Sequence, residues 1–161
     1  MIRVAFASND RRTVNLHFGG AESLVIYDIA PGQADLVGVG TFMKAEQIGE
    51  TGRVGLTGTV HDKVLPKLDF VEGCAAVYAA SIGTSSIRRL MAQGVQPIIV
   101  DNGHDILDLL NEVSLALVHG GLSWVERAKA KADAAAVANR LQENPADRET
   151  HRLLTSVDEL E

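Results

Sequence analysis

Residues 74–100, CAAVYAASIGTSSIRRLMAQGVQPIIV, are the stretch that decides the fold. Residues 74–80 are apolar throughout, which predicts a central strand covered on both faces of a sheet. A helix follows that carries Ile87, Leu90 and Met91 and is closed by Gly94. Residues 97–100 predict the next strand. Because two strands joined by a helix form a right-handed parallel crossover, the stretch predicts an α/β fold.

Three further strands are predicted on the N-terminal side, at residues 3–8, 24–29 and 36–42. The last two are separated by the turn Pro31-Gly32 and should form an antiparallel hairpin. A loop at residues 11–20 separates the first strand from the second. We therefore expect a single mixed sheet with helices on its faces.

On the C-terminal side, Asn102-Gly103 forms a turn before apolar residues at helical spacing: Ile106, Leu109, Leu110, Val113 and Leu117. Ser123 and Glu126 match a capping box that opens an extended C-terminal helix, reaching about residue 142. Its buried stripe should be Val125, Ala128, Ala132, Ala135 and Leu141.

The chain divides in the sequence at Gly120-Gly121. Residues 1–121 should form the α/β domain, and residues 122–161 a helical extension packed on it or projecting from it. A short helix with Val64, Leu65 and Leu68 on one side is expected around residues 62–68.

Composition and charge limit the classes of partner and the cellular compartment that the sequence predicts. The 161 residues are 46% hydrophobic and carry a net charge of −6, so an acidic surface disfavours nucleic acid as a partner. No stretch reaches the length of a membrane span, and the N-terminus lacks a signal-peptide layout. The single cysteine, Cys74, excludes an internal disulfide within the chain and is expected in the core. We predict a cytoplasmic protein.

His17 is the first candidate for ligand binding. It lies in the loop after the first strand, and a neutral imidazole can bind iron or another transition metal. The adjoining Phe18-Gly19-Gly20 would let the backbone approach a bulky ligand. A lone histidine is more often a surface or hydrogen-bonded residue, so the spacing alone does not assign this role.

The second candidate is the turn formed by Gly83, Thr84, Ser85 and Ser86, where the central strand leads into a helix. Free backbone N–H groups and the helix dipole make such a turn receptive to an anion. Arg88 and Arg89 follow in the first helical turns. Capping of the helix by Thr84 or Ser85 is the simpler role and is expected in any case.

The remaining features point to less specific roles. Glycines at residues 49–58 predict a mobile loop that could cover a ligand but match no dinucleotide fingerprint. His61, His104 and His119 are scattered and form no metal-binding pair.

Three segments together resemble a known family: RVAFASND at residues 3–10, VNLHFG at residues 14–19 and IYD at residues 26–28. They are similar to the NifX/NifY/NafY group of nitrogenase cofactor-binding proteins, related to the C-terminal domain of NifB. Further matches are GCAAVY at residues 73–78, Ile82-Gly83 and the strand entry at residues 94–100. The resemblance covers about residues 2–120, and its most specific element is N-x-H-F-G with its spacing to I-Y-D.

This resemblance implies a ribonuclease-H-like fold without nuclease activity. It implies binding of the iron–molybdenum cofactor or its iron–sulfur precursor as cargo, and transfer between the assembly scaffold and apo-dinitrogenase. It implies that His17 contacts the metal cluster. The candidate cofactor-binding residues are therefore His17, Asn15, Phe18, Gly19, Gly83, Thr84, Ser85 and Ser86.

Two alternatives remain open. A small-molecule or nucleotide-binding sensor could use the same Gly83 turn. A metal-dependent hydrolase on a ribonuclease-H-like sheet would need carboxylates that converge on divalent metal. The strand at residues 3–8 contains no acid, Asp10 is the next one, and no nucleophile elbow is present, so we expect a carrier that is not an enzyme.

Overall fold

The computed structural model describes residues 1–42 and 64–143. Its strands are β1 (Ile2–Ala7), β2 (Thr13–Val14), β3 (Ser23–Ala30), β4 (Gln33–Thr41), β5 (Ala76–Ala79), β6 (Gln96–Ile99) and β7 (His104–Asp105). Its helices are α1 (Leu65–Phe70), α2 (Thr84–Ala92), α3 (Ile106–His119) and α4 (Ser123–Glu143). The predicted loop at residues 49–58 and the residues after Glu143 lie outside this described part.

The main sheet has five strands in the order β4-β3-β1-β5-β6. β3 pairs antiparallel with both β1 and β4, which confirms the hairpin, whereas β5 pairs parallel with both β1 and β6. The predicted mixed α/β sheet is therefore confirmed. β5 is an interior strand between β1 and β6 and is buried on both faces, as its apolar sequence predicts.

Alternation along β1 divides the core into two layers. Val4 and Phe6 point to one face, which α3 and the start of α4 cover, and Ala5 and Ala7 point to the other, which α1 and α2 cover. On the first face the Phe6 ring stacks on Tyr78 at a centroid distance of 5.2 Å. Because helices cover both faces of the sheet, loops can form ligand sites only at the two ends of the strands.

The prediction of one sheet was incomplete. The loop after β1 contains β2, which pairs antiparallel with β7, so that Thr13 faces Asp105 and Val14 faces His104. Two-residue strands have no periodicity that a sequence pattern could show. This small sheet ties the loop after β1 to the start of α3, where the Asp105 side chain caps the helix by accepting from Leu107 N at 3.0 Å.

The helices differ from the sequence pattern in detail. Met91 on α2 is 60% exposed and Leu65 at the start of α1 is 48% exposed, so these two apolar residues lie outside the core. The Glu126 N–H of α4 donates to Leu122 O, which makes Leu122 the N-cap and moves Ser123 into the helix. The predicted capping box is therefore wrong. The five predicted apolar residues of α3 are all buried, which confirms that helix.

The C-terminal helix α4 spans 21 residues. Val125 is buried in the core, Ala128 and Ala132 are half-buried, and Ala135 is exposed, so the predicted stripe fades along the helix. The separation of residues 122–161 from the α/β domain stays a prediction. No helix within residues 1–42 and 64–143 has the length and apolar character that crossing a membrane requires.

Candidate functional site

The loop containing His17 runs along the carboxyl end of β5. Ala80 N donates to Leu16 O at 2.9 Å and Phe18 N donates to Ser81 O at 2.9 Å, so that His17 and Ser81 form a parallel bridge. Ser81 is two residues before Gly83. The structure therefore brings the His17 loop and the Gly83 turn to the same edge of the sheet, because β1 and β5 are neighbours.

A buried side chain and a buried hydrogen bond anchor the His17 loop to the core. The Phe18 ring is fully buried in the layer under α1 and α2, so Phe18 is a core residue rather than an exposed ligand contact. Lys67 of α1 is 1% exposed, and its Nζ donates to Gly19 O at 3.0 Å. Lys67 also lies 5.5 Å from the centroid of the Phe42 ring. The sequence held no sign of this buried lysine, because its partners lie on distant segments.

The loop segment at residues 8–15, which we name the arc, lies before His17 and is stabilised by hydrogen bonds from its own polar side chains. Asp10 accepts hydrogen bonds from Arg12 N at 2.8 Å, Thr13 N at 2.9 Å and Ser8 Oγ at 3.0 Å on one oxygen, and from Thr13 Oγ1 on the other. These backbone N–H donors hold the pKa of Asp10 well below its usual value. Arg11 takes the left-handed backbone conformation, with φ of 62°, that this tight arc requires.

Asn15 is occupied within the same arc. Its Oδ1 accepts from Asn9 N at 3.2 Å and its Nδ2 donates to Asn9 Oδ1 at 2.9 Å. Both ends of the amide are thus used to close the loop. The geometry gives Asn15 a role in positioning His17, whereas direct contact with a cofactor stays a prediction.

His17 itself is exposed, and its Nδ1 contacts the Ser81 hydroxyl. A partner on one ring nitrogen orients the imidazole and leaves Nε2 for a ligand, as in most histidine metal sites. Ser81 is absent from the predicted site residues. Its place directly after the buried strand was a signal, because the end of a parallel strand is where side chains meet a ligand.

The Gly83 turn differs from the prediction in one respect. Gly83 is the N-cap of α2, with φ −67° and ψ 156°, and no side chain caps the helix. Capping by Thr84 or Ser85 was therefore wrong, since both residues lie inside the first turn. The first turn of α2 contains no acidic residue, so its first N–H groups have no side-chain cap from within the helix. Thr84 and Ser85 are exposed, whereas Ser86 is buried and less open to a ligand.

Cys74 and His119 lie away from this edge, whereas His104 pairs with Val14 in the loop that leads to His17. Cys74 precedes the opposite end of β5, and burial raises the pKa of its thiol to about 12, which confirms a core cysteine. His104 lies in β7 and His119 ends α3. Within residues 1–42 and 64–143, no three His, Cys, Asp or Glu side chains come close enough together to bind a metal ion. His61 and the glycine-rich loop lie outside the described part.

These features define a class: a small α/β protein with an exposed imidazole beside an uncapped helix N-terminus. The family model described as "Dinitrogenase iron-molybdenum cofactor" matches residues 1–115. The chain is 38% identical over 128 residues to "Protein NifX" of Azotobacter vinelandii, covering 80% of this chain and 75% of that one. The chain belongs to this family of NifX proteins, which confirms the resemblance seen in its sequence motifs.

Further relatives are more distant. "Protein NifX" of Herbaspirillum seropedicae is 29% identical, with 81% of this chain and 83% of that protein covered. "Protein NifX" of Rhodobacter capsulatus is 31% identical, with 72% and 70% covered. A solved structure, "Crystal structure of PH0822", is 19% identical and covers 75% of this chain and 93% of its own, with a TM-score of 0.43. The ribonuclease-H-like fold stays a prediction.

Proposed function

We propose that this protein binds the nitrogenase iron–molybdenum cofactor, or its iron–sulfur precursor, at the His17 loop and carries it during cofactor assembly. The observation that carries the proposal is the pairing of the His17 loop with the end of β5, directly before the Gly83 turn. Membership of the NifX family supports a role in nitrogenase cofactor handling. The cargo in this proposal is a substrate that the protein receives and releases.

The His17 imidazole is the proposed metal ligand. It is exposed at the edge of the sheet, and the Ser81 hydroxyl on Nδ1 leaves Nε2 for a metal atom of the cluster. The Asp10 and Asn15 hydrogen bonds hold the loop from within, so His17 is presented by a preformed loop.

The Gly83 turn is the proposed contact for the negative charge of the cluster. The first N–H groups of α2 have no side-chain cap, and the positive end of the helix dipole lies there. The exposed hydroxyls of Thr84 and Ser85 add donors. Backbone donors suit a large polyanion, since they require no unique ligand geometry.

Such a site holds its cargo loosely. One imidazole and a set of amides offer fewer metal bonds than a permanent iron–sulfur site, which uses several thiolates. The single cysteine is buried away from this edge, so it does not add a bond. Loose binding fits a carrier, which must pass the cluster from the assembly scaffold to apo-dinitrogenase, the two partners that we propose.

The hydrolase alternative is less well supported. Both oxygens of Asp10, the acid in the loop that leads to His17, already accept hydrogen bonds from its own loop. A metal-dependent hydrolase needs carboxylates that are free to converge on an ion. That the protein is not an enzyme, that it is cytoplasmic, and that it binds neither nucleic acid nor membranes stay predictions.

An anaerobic titration tests the proposal. The purified protein should be colourless and gain a brown absorbance when the isolated cofactor or its precursor is added without oxygen. His17→Ala should weaken this binding about tenfold or more, by analogy with lost metal-site interactions. Its thermal unfolding should match that of the unchanged protein, because His17 is exposed.

His119→Ala is the matched control, since it removes an exposed imidazole from the end of α3. It should bind the cluster as well as the unchanged protein does. Equal binding by His17→Ala and the unchanged protein would remove His17 from the site. Failure of any cluster to bind the unchanged protein would overturn the carrier function.

A further inference from the structure

A second cleft lies at the amino ends of the three parallel strands. It encloses about 570 Å³ between the residues that enter β1, β5 and β6 and one face of α4. We name it the amino-end cleft, and its walls include Arg3, Cys74, Gln96, Trp124, Arg127 and Lys131. β1 spans about 20 Å, so the amino-end cleft is at the far side of the sheet from His17.

The amino-end cleft is positively charged in an acidic chain. Three cationic side chains and one carboxylate line it, a net charge of +2, whereas the whole chain carries −6. The carboxylate, Asp28, is bound by Arg3 at 2.8 Å. Within residues 1–42 and 64–143, Arg127 and Lys131 form no salt bridge with an acidic side chain.

The contacts of these two cations are weak. Arg127 Nη2 reaches Gln96 Oε1 only at 3.5 Å. Lys131 Nζ lies beside Gly94, 3.7 Å from the position of a β-carbon there. Arg127 and Lys131 are four residues apart and therefore share one face of α4. Their charges are thus directed to the same cleft.

The end of α2 does not account for both charges. A helix C-terminus carries about half a negative charge. Its last carbonyls already accept from the N–H groups of Gln93, Gly94 and Val95 at 2.9–3.2 Å. Two full positive charges exceed what this helix end offsets, so the cleft keeps a net positive charge on the two exposed side chains.

Apart from Gln93 and Gln96, the remaining walls are apolar. Trp124 and Ala128 of α4 face the cleft, and the Trp124 ring meets Tyr78 edge-on at 6.3 Å. Cys74 adds a neutral thiol, because burial raises its pKa to about 12. Apolar walls with a few charged groups at one side are typical of small-molecule sites, whose volumes are about 300–1,000 Å³.

We propose that the amino-end cleft binds a small organic anion with a flat apolar body, whose negative group lies between Arg127 and Lys131. The apolar body then lies against Trp124 and Cys74. This site is independent of the cofactor site, since it shares neither residues nor an end of the sheet with it.

Fluorescence titration with anilinonaphthalene sulfonate, an aromatic anion of this class, tests the proposal on the full-length folded chain. The unchanged protein should bind one equivalent with enhanced emission. The double variant Arg127→Gln/Lys131→Gln should bind it about tenfold more weakly, because two charge-assisted contacts are lost. Lys129→Gln, which changes the same helix and charge but lies outside the cleft, should bind as the unchanged protein does.

Two further measurements locate the probe. N-phenylnaphthylamine has the same rings without the sulfonate, so its affinity should be equal in the unchanged protein and the double variant. Bound sulfonate probe should quench the fluorescence of Trp124, the only tryptophan in the chain, because the proposed site places the probe against this side chain. No binding by the unchanged protein, equal sulfonate affinity in the double variant, or unchanged Trp124 fluorescence would overturn the proposal.

Discussion

The two ends of the sheet differ in how the groups of the two proposed sites are supplied. At the carboxyl end, the donors are backbone N–H groups of the Gly83 turn and one exposed imidazole. At the amino end, the charges are side chains of α4, and apolar walls surround them. The first arrangement suits a large cluster that is passed on, and the second suits a small anion that is enclosed.

One sheet thus supports two proposed sites of different chemistry. The carboxyl end is organised locally, by Asp10 and Asn15 within one loop. The amino-end cleft exists only because α4 packs across the residues that precede the parallel strands. β1 and β5 connect both ends, so a change in the core should affect both, whereas changes at either end should remain local.

Phe6→Ala should cause the largest effect and damage both ends. The Phe6 ring is fully buried and packs on Tyr27 and Tyr78. Loss of such a ring costs about 3–5 kcal/mol in the free energy of unfolding. Urea denaturation measures it. Leu115→Ala, at an exposed position of α3, should change stability by less than about 0.5 kcal/mol, and a similar loss in both variants would contradict this account of the core.

Thr84→Pro should change binding at the carboxyl end of the strands and leave the amino end unchanged. Proline is favoured at the first helical position and the extended Gly83 backbone accepts it, so α2 should stay intact while one N–H is lost. Cluster affinity should fall about tenfold in an anaerobic titration, the value of one charge-assisted hydrogen bond. Thr84→Ala keeps the N–H and should bind better than Thr84→Pro. Equal affinities would mean that this amide does not contact the cluster.

Asp10→Asn should have a smaller, pH-dependent effect on the loop that presents His17. The pKa of Asp10 is lowered in the folded state by hydrogen bonds from Arg12 and Thr13, so its stabilising effect is present above the unfolded pKa of about 4. It is lost as pH falls through the lower, folded pKa. The unchanged protein should therefore have a higher Tm than Asp10→Asn near neutral pH, and the difference should shrink towards pH 2. A difference that grows on acidification would contradict the assignment.

Asp28→Asn should have the smallest effect, and it tests whether the charge of the amino-end cleft attracts the probe. Its salt bridge with Arg3 is partly exposed, so stability should fall by only about 0.2–1 kcal/mol. The net charge lining the amino-end cleft would rise by one unit, which should tighten binding of anilinonaphthalene sulfonate about twofold. Binding that weakens instead would show that the charge of the cleft does not attract the probe.

Much of the fold was predictable because it depends on local patterns. The run of apolar residues at 74–80 predicted a central strand, and helical spacing predicted the buried face of α3. The family followed from short motifs around His17. The candidate residues His17 and Gly83 could be named in advance, because each follows a predicted strand, where α/β proteins place their ligands.

Other features required the tertiary structure. Ser81 contacts His17 from 64 positions away in the chain, and Lys67 bonds Gly19 from 48 positions away. A sequence pattern reports neighbours along one element, whereas these contacts depend on which strands pair. The exposure of Met91 shows the same limit, since an apolar residue can lie on the edge of a helix face that its neighbours do not cover.

The sequence by itself determined the order of the helices and of the five main strands, the family, and the presence of an imidazole and of a potential anion-binding turn. Only the tertiary structure decided that β1 and β5 are neighbours, which brings the two together, and that α4 closes a cationic cleft at the opposite end. The physical reason is that local periodicity selects elements, whereas the pairing of distant strands and helices selects which of their residues share a surface.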